Sequence, residues 1–240
     1  MKRTERHHLK ENELRKLARQ ARDTVQTRPR ETMAAIVAVV VFGLIALGYW
    51  GWRARVEGRA HALLAGAMAV QQARVGPPAA PGAGAGPSFP TERERAQAAL
   101  AKFKAAADAY PSTKAGIFAR YQEASTWMKL GNPAEATKAY QQVVDHAGNG
   151  IYGQMGRLGL ADAHARGGQY EQAINAFKEL AQRKDGPLPL DGILMQLGRT
   201  YRDAGKRSEA QQTFTRLVEE YPESPFTGEA KRELDSLKKT

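Results

Sequence analysis

The sequence predicts an all-α protein, an N-terminal transmembrane helix followed by a solenoid of stacked helical hairpins. Two observations carry this. The first is an uncharged run of twenty residues from Met33 to Trp52; at ~1.5 Å per helical residue it reaches about 30 Å, the hydrocarbon thickness of a bilayer. The second is an internal period of 37 residues, with alanine at Ala99, Ala136, Ala173 and Ala210 and an aromatic at Phe103, Tyr140, Phe177 and Phe214. A period of this length marks an array of supersecondary units, none of which can bury its own apolar face alone.

In chain order, residues 1–32 form a basic tail with 10 basic against 5 acidic side chains. Leu9, Leu14, Leu17 and Ala21 fall at roughly helical spacing within it. The tail is read either as a short amphipathic helix along anionic lipid or as a solvated, partly helical segment. Residues 33–52 are the transmembrane helix, and Tyr49, Trp50 and Trp52 crowd one end, where amphipathic rings settle at the headgroup level. Ala60–Ala62 formally fits a cleavage pattern, but the apolar run and its charged leader are both too long for a removable signal peptide. Arg15, Lys16, Arg19, Arg22, Arg28 and Arg30 precede the span, against Arg53, Arg55 and Arg59 after it. That asymmetry puts the N-terminus in the cytoplasm and the repeats on the exported side, in a bacterium the periplasm.

Residues 53–75 are expected to continue as a membrane-proximal helix with Ala60, Leu63, Leu64, Ala67 and Val70 on one side. Residues 76–90 are so dense in Pro, Gly and Ala that they hold neither helix nor core, and they read as a flexible linker. Thr91 and Glu94 have the spacing of a capping box that starts the next helix. One period before the helix near Ile117 falls in this linker. Residues 56–75 are therefore expected to partner the helix from Thr91 to Tyr110, with the linker as an insertion in the hairpin turn.

Residues 91–240 carry the repeats. Apolar residues recur at helical spacing over Tyr121–Lys129, Leu158–Arg166 and Met195–Asp203, and each run ends near a glycine, Gly131, Gly168 or Gly205. A second helix follows each turn; in the first full repeat Asn132 stands at the cap and Pro133 at the first helical position. In each second helix the alanine permits close approach of the partner, and the aromatic four residues on fills the space beside it. Ala136, Tyr140, Ala173, Phe177, Ala210, Phe214 and Trp127 are accordingly expected in the core.

This spacing resembles the tetratricopeptide repeat. Leu197, Gly198, Tyr201, Gly205, Ala210, Phe214 and Pro222 match its pattern in order, and Leu160, Gly168, Ala173 and Phe177 match in the repeat before. Ala161 and His164 depart from that pattern, as does Glu123, which stands at a leucine position. The layout of the whole chain resembles the single-span ancillary subunit of the bacterial Sec translocon. That resemblance implies an inner-membrane protein whose periplasmic domain meets translocon subunits, periplasmic chaperones or unfolded clients. The last repeat looks equally like the end of the periplasmic Tol-Pal coordinator, which leaves open an envelope scaffold for a cell-division or outer-membrane assembly complex. The lipid-modified repeat proteins of outer-membrane assembly need a cysteine, and this sequence has none.

No catalytic constellation, cofactor motif or metal site is expected. His7 and His8 are adjacent, and neighbours on a helix point about 100° apart, a poor ligand pair. The glycine-rich "GAGAGP" lacks the Lys-Ser/Thr of a phosphate loop. The net charge of +11 does not point to nucleic acid, because much of it sits in the juxtamembrane tail and no basic and aromatic residues interleave. Protein binding is the expected activity, and the candidate groove is the inward face of the first helices. It carries Phe118, Tyr121, Ser125 and Met128, then Met155, Leu158, Asp162 and Arg166, then Met195, Arg199 and Arg202. Methionine adapts its shape to unfolded or helical segments. Tyr121, Leu158 and Met195 share one column that serves either such a groove or the packing of repeat on repeat. The three arginines form either a basic rim or a solvated face.

Overall fold

The structure is a computed structural model and describes residues 29–76, 87–182 and 186–239. Expectations for the tail up to residue 28, for linker residues 77–86 and for residues 183–185 lie outside the described residues. The chain divides into two compact units at Arg55 and Val56. Helix α1 runs from Pro29 to Gln71. In the first unit it is long and apolar enough to cross a membrane, and none of its apolar window is buried in protein. Val39, Phe42, Leu47 and Trp50 are each more than two-thirds exposed, an arrangement suited to lipid and costly in water.

In the second unit the end of α1 joins a helical array. Strand β1 (Arg74–Val75) pairs in parallel with β2 (Ser88–Phe89), and helices α2 (Glu92–Ala109), α3 (Lys114–Lys129), α4 (Pro133–Ala147) and α5 (Ile151–Arg166) follow. Then come α6 (Tyr170–Gln182), α7 (Leu190–Asp203), α8 (Arg207–Glu220) and α9 (Thr227–Lys239). Each of α3, α5 and α7 starts five to seven residues before its apolar run. Within the stretch expected as linker, Ser88–Phe89 is a strand, and Gly76 N donates to Phe89 O at 2.9 Å.

Ala67 and Val70 of α1 share a buried cluster with Ala99, Phe103 and Ala106 of α2 and Ala119 of α3. Glu57 accepts a hydrogen bond from Ala115 N at 3.4 Å, and Arg95 Nη1 donates to Ala73 O at 3.0 Å. Thr91 caps α2, its hydroxyl accepting from Glu94 N at 3.2 Å.

The three turn glycines have φ of 75° to 78°, the left-handed region that glycine enters without strain. Their bonds repeat from turn to turn. Asn132 N reaches Trp127 O, Gln169 N reaches His164 O and Lys206 N reaches Tyr201 O, at 2.8 to 2.9 Å. Each glycine N–H bonds the carbonyl three residues back, at 3.0 to 3.1 Å. This is the Schellman closure of a helix C-terminus. Asn132 contributes its backbone only: its side chain makes no capping bond, and Pro133 at the first helical position has no N–H to cap.

The alanine column is at most 1% exposed and the aromatic column at most 5%. A small column faces those rings from the first helices, namely Ala124, Ala161 and Gly198. A Cβ built on Gly198 would lie 2.4 Å from Phe214 Cε1. Trp127 is half-buried rather than central, packed against the cluster around Tyr140. Glu123 is 4% exposed and pairs with Arg120, which also reaches Asp108 of α2. The departure at the leucine position is thus a charged bridge between α2 and α3. Beyond the last full repeat, α9 places Ala230 and Leu237 in the same core as Phe214.

Candidate functional site

Helical spacing puts Phe118, Tyr121, Ser125 and Met128 on one face of α3, and Met155, Leu158, Asp162 and Arg166 on one face of α5. Phe118, Tyr121, Met128, Met155 and Leu158 are each half-buried. Their rings join the two helices. Phe118 stacks beside Tyr121 at 6.3 Å between centroids and meets Tyr152 of α5 at 5.8 Å, while Tyr121 meets Tyr140 edge-on at 5.6 Å. Tyr152 is an addition to the expected set. Its place three residues before Met155 on the same face was the available signal.

Burial pushes the Tyr140 phenol far above its ordinary value, with Tyr121 and the Asp162 charge adding; a hydrogen bond with Ser125 and the Arg166 charge oppose. Burial also raises Tyr121. Both phenols are therefore neutral donors at any physiological pH. Arg166 is exposed and pairs with Asp162 at 3.2 Å.

The third repeat departs from the expected groove. Met195 is fully buried, so of the two readings open for its column it takes repeat-on-repeat packing. Its side chain has no surface to offer a ligand. Arg199 and Arg202 form neither a free rim nor a solvated face. They pair with Glu229 and Glu233 of α9, and Arg202 also with Asp203 at 2.8 Å. The acidic partners on α9 lie outside the repeat columns, which is why the periodicity did not expose them.

What remains open is an apolar and aromatic surface on α3 and α5 beside charges that are already paired. Such a surface recognises apolar side chains by shape and desolvation. Among the described residues no group of His, Cys, Asp or Glu could hold a metal ion.

A family model described as a tetratricopeptide repeat-like domain matches residues 30–238. No curated protein matches the chain. Two crystal structures of a putative kinesin light chain from Podosopora anserina, described as having nearly identical repeats of this type, are similar in fold. One, a point variant, is 16% identical with a TM-score of 0.57, covering 75% of this chain and 85% of that one. The other is 15% identical with the same TM-score, covering 75% and 86%. A repeat protein from Parabacteroides merdae is 17% identical with a TM-score of 0.49, covering 61% and 55%.

Proposed function

The chain belongs to the tetratricopeptide repeat-like domain family, and from that premise we propose that it is a membrane-anchored adaptor for emerging or unfolded polypeptides, an accessory or chaperone-like factor at the protein translocon. Residues 33–52 anchor it in a bacterial inner membrane with the N-terminus cytoplasmic and the repeats periplasmic. The orientation rests on the basic residues before the span, and the translocon on the layout of tail, span and repeats. The observation that carries the binding mode is the surface of Phe118, Tyr121, Tyr152, Met155 and Leu158, half-buried on the helices where Asp162 and Arg166 are already paired. A surface of that kind takes apolar segments irrespective of their charge, as an unfolded chain presents them.

The test is in-cell crosslinking of the full-length protein, purification in mild detergent and mass spectrometry of what accompanies it. Translocon subunits and periplasmic chaperones are the expected partners. Recovery of division or outer-membrane assembly components without the translocon would replace this reading with the envelope scaffold. Tyr121→Ala with Met155→Ala is expected to weaken the capture of unfolded model proteins by about tenfold or more, since each truncation removes about 1–2 kcal/mol of contact. Unchanged capture would remove the groove from the mechanism.

A further inference from the structure

A cavity of about 300 Å³ opens elsewhere in the second unit, between the end of α1, the start of α2 and the end of α3. One period on, Pro133 Cβ lies 3.9 Å from the Cβ position of Gly167. The counterparts of that pair are Ala96 and Leu130, and both line the cavity. The hairpin turns at Gly131, Gly168 and Gly205 are tight, whereas the chain between α1 and α2 runs through β1, residues 77–86 and β2.

Its charge is one-sided. Arg93, Arg95 and Lys129 line it against a single carboxylate, Glu92. Arg95 is held in place, donating to Ala73 O at 3.0 Å and pairing with Glu92. Arg93 and Lys129 are exposed and have no ion-pair partner among the described residues. Residues 77–86 contain no aspartate or glutamate in their sequence. Ala96, Ala99, Thr126 and Leu130 also line it, with the amide of Gln71.

We infer that this cavity is a second binding site, which accepts the carboxylate of an acidic side chain in a partner polypeptide. Its volume is at the lower limit for a ligand site and fits one or two residues rather than a cofactor. Two unpaired cations beside a fixed arginine give a carboxylate charge-assisted hydrogen bonds that its amide isostere cannot match. The inference rests on the protein-binding reading for the nature of the ligand, but it uses a surface separate from the aromatic groove. One partner can therefore present an apolar segment to α3 and α5 and an acidic residue to this corner.

The test uses the full-length protein in nanodiscs of zwitterionic lipid and two fluorescein-labelled peptides, blocked at both ends. One alternates Asp and Glu with Ala, and the other has Asn and Gln in their place. The acidic peptide is expected to bind at least about tenfold more tightly, and more weakly as salt rises from about 50 to about 300 mM. Arg93→Gln with Lys129→Gln should bring it to the level of the amide peptide. Ala96→Leu, which fills the cavity and leaves every charge in place, should do the same. Tyr121→Ala with Met155→Ala should leave acidic-peptide binding unchanged, which keeps this site distinguishable from the groove. Equal binding of the two peptides, or acidic binding that survives both Arg93→Gln with Lys129→Gln and Ala96→Leu, would overturn the assignment. So would displacement of the peptide by inorganic phosphate or by phosphatidylglycerol vesicles at lower concentrations than the peptide itself needs.

Discussion

Glu123 shows what one residue can hide. In the sequence it is only a mismatch to a leucine column, yet it is 4% exposed and bound to Arg120, which reaches on to Asp108. A buried pair that loses one partner leaves an uncompensated charge. Arg120→Ala is therefore expected to cost about 3–5 kcal/mol in thermal or denaturant unfolding. Glu123→Leu restores an apolar residue and leaves Arg120 with Asp108, so it should be neutral or stabilising. The hydrogen bond from Arg120 is the largest influence on the Asp108 carboxyl and holds it below the usual carboxylate range, with burial working against it. A depressed folded-state value stabilises the fold above the ordinary value of about 3.9, and that contribution is lost as pH falls below it. Arg120→Gln should flatten the acid limb of a stability profile followed by circular dichroism. The tyrosines act at the other end of the scale. Tyr121 and Tyr140 are both raised by burial, so their contribution is complete below about pH 10 and is lost as pH rises through their folded-state values. Tyr121→Phe with Tyr140→Phe should blunt the alkaline loss. The alanine and aromatic columns were legible because each recurs four times; the Arg120 bridge occurs once, and a periodicity cannot register a single event.

Among the elements, two kinds of glycine serve different ends. A Cβ at Gly205 would meet nothing within 4 Å, and the residue is needed only for its φ of 75°. Gly205→Ala should cost about 1 kcal/mol. Gly198 has ordinary helical geometry, but its missing Cβ makes room for the Phe214 ring. Gly198→Ala should cost more, about 1–3 kcal/mol, or several degrees in melting temperature. A larger shift for Gly205→Ala than for Gly198→Ala would mean that the turn, not the interface, limits stability. The turns were readable because a glycine stands in the same column of each. The helix starts were not, since α3, α5 and α7 open on mixed residues with no common cap: Thr113 caps α3 with its hydroxyl, whereas Gly150 and Pro189 make no side-chain bond. The aromatic half of the groove was legible for the same reason as the core, being on a helical face. Its closure in the third repeat was not, because Glu229 and Glu233 belong to a helix with no full repeat of its own.

On the scale of the whole molecule, the first hairpin is made from chain on both sides of residues 77–86. Ala67 and Val70 share a core with Phe103, Glu57 is bonded to Ala115 N, and β1 is paired to β2. Cleavage at a protease site introduced within residues 77–86 should therefore leave the two fragments associated in native mass spectrometry. Separation without denaturant would show that these contacts do not hold the hairpin. The pairing of Arg74 with Ser88 and of Val75 with Phe89 has an engineering corollary. It ties the chain before residue 76 to the chain after residue 87, so an insertion between them leaves both flanks anchored to each other. Doubling the length of a connection whose ends are held together costs only about 0.6 kcal/mol in closure entropy. A fluorescent reporter or an affinity module spliced into it would therefore ride on the folded array without unseating a helix.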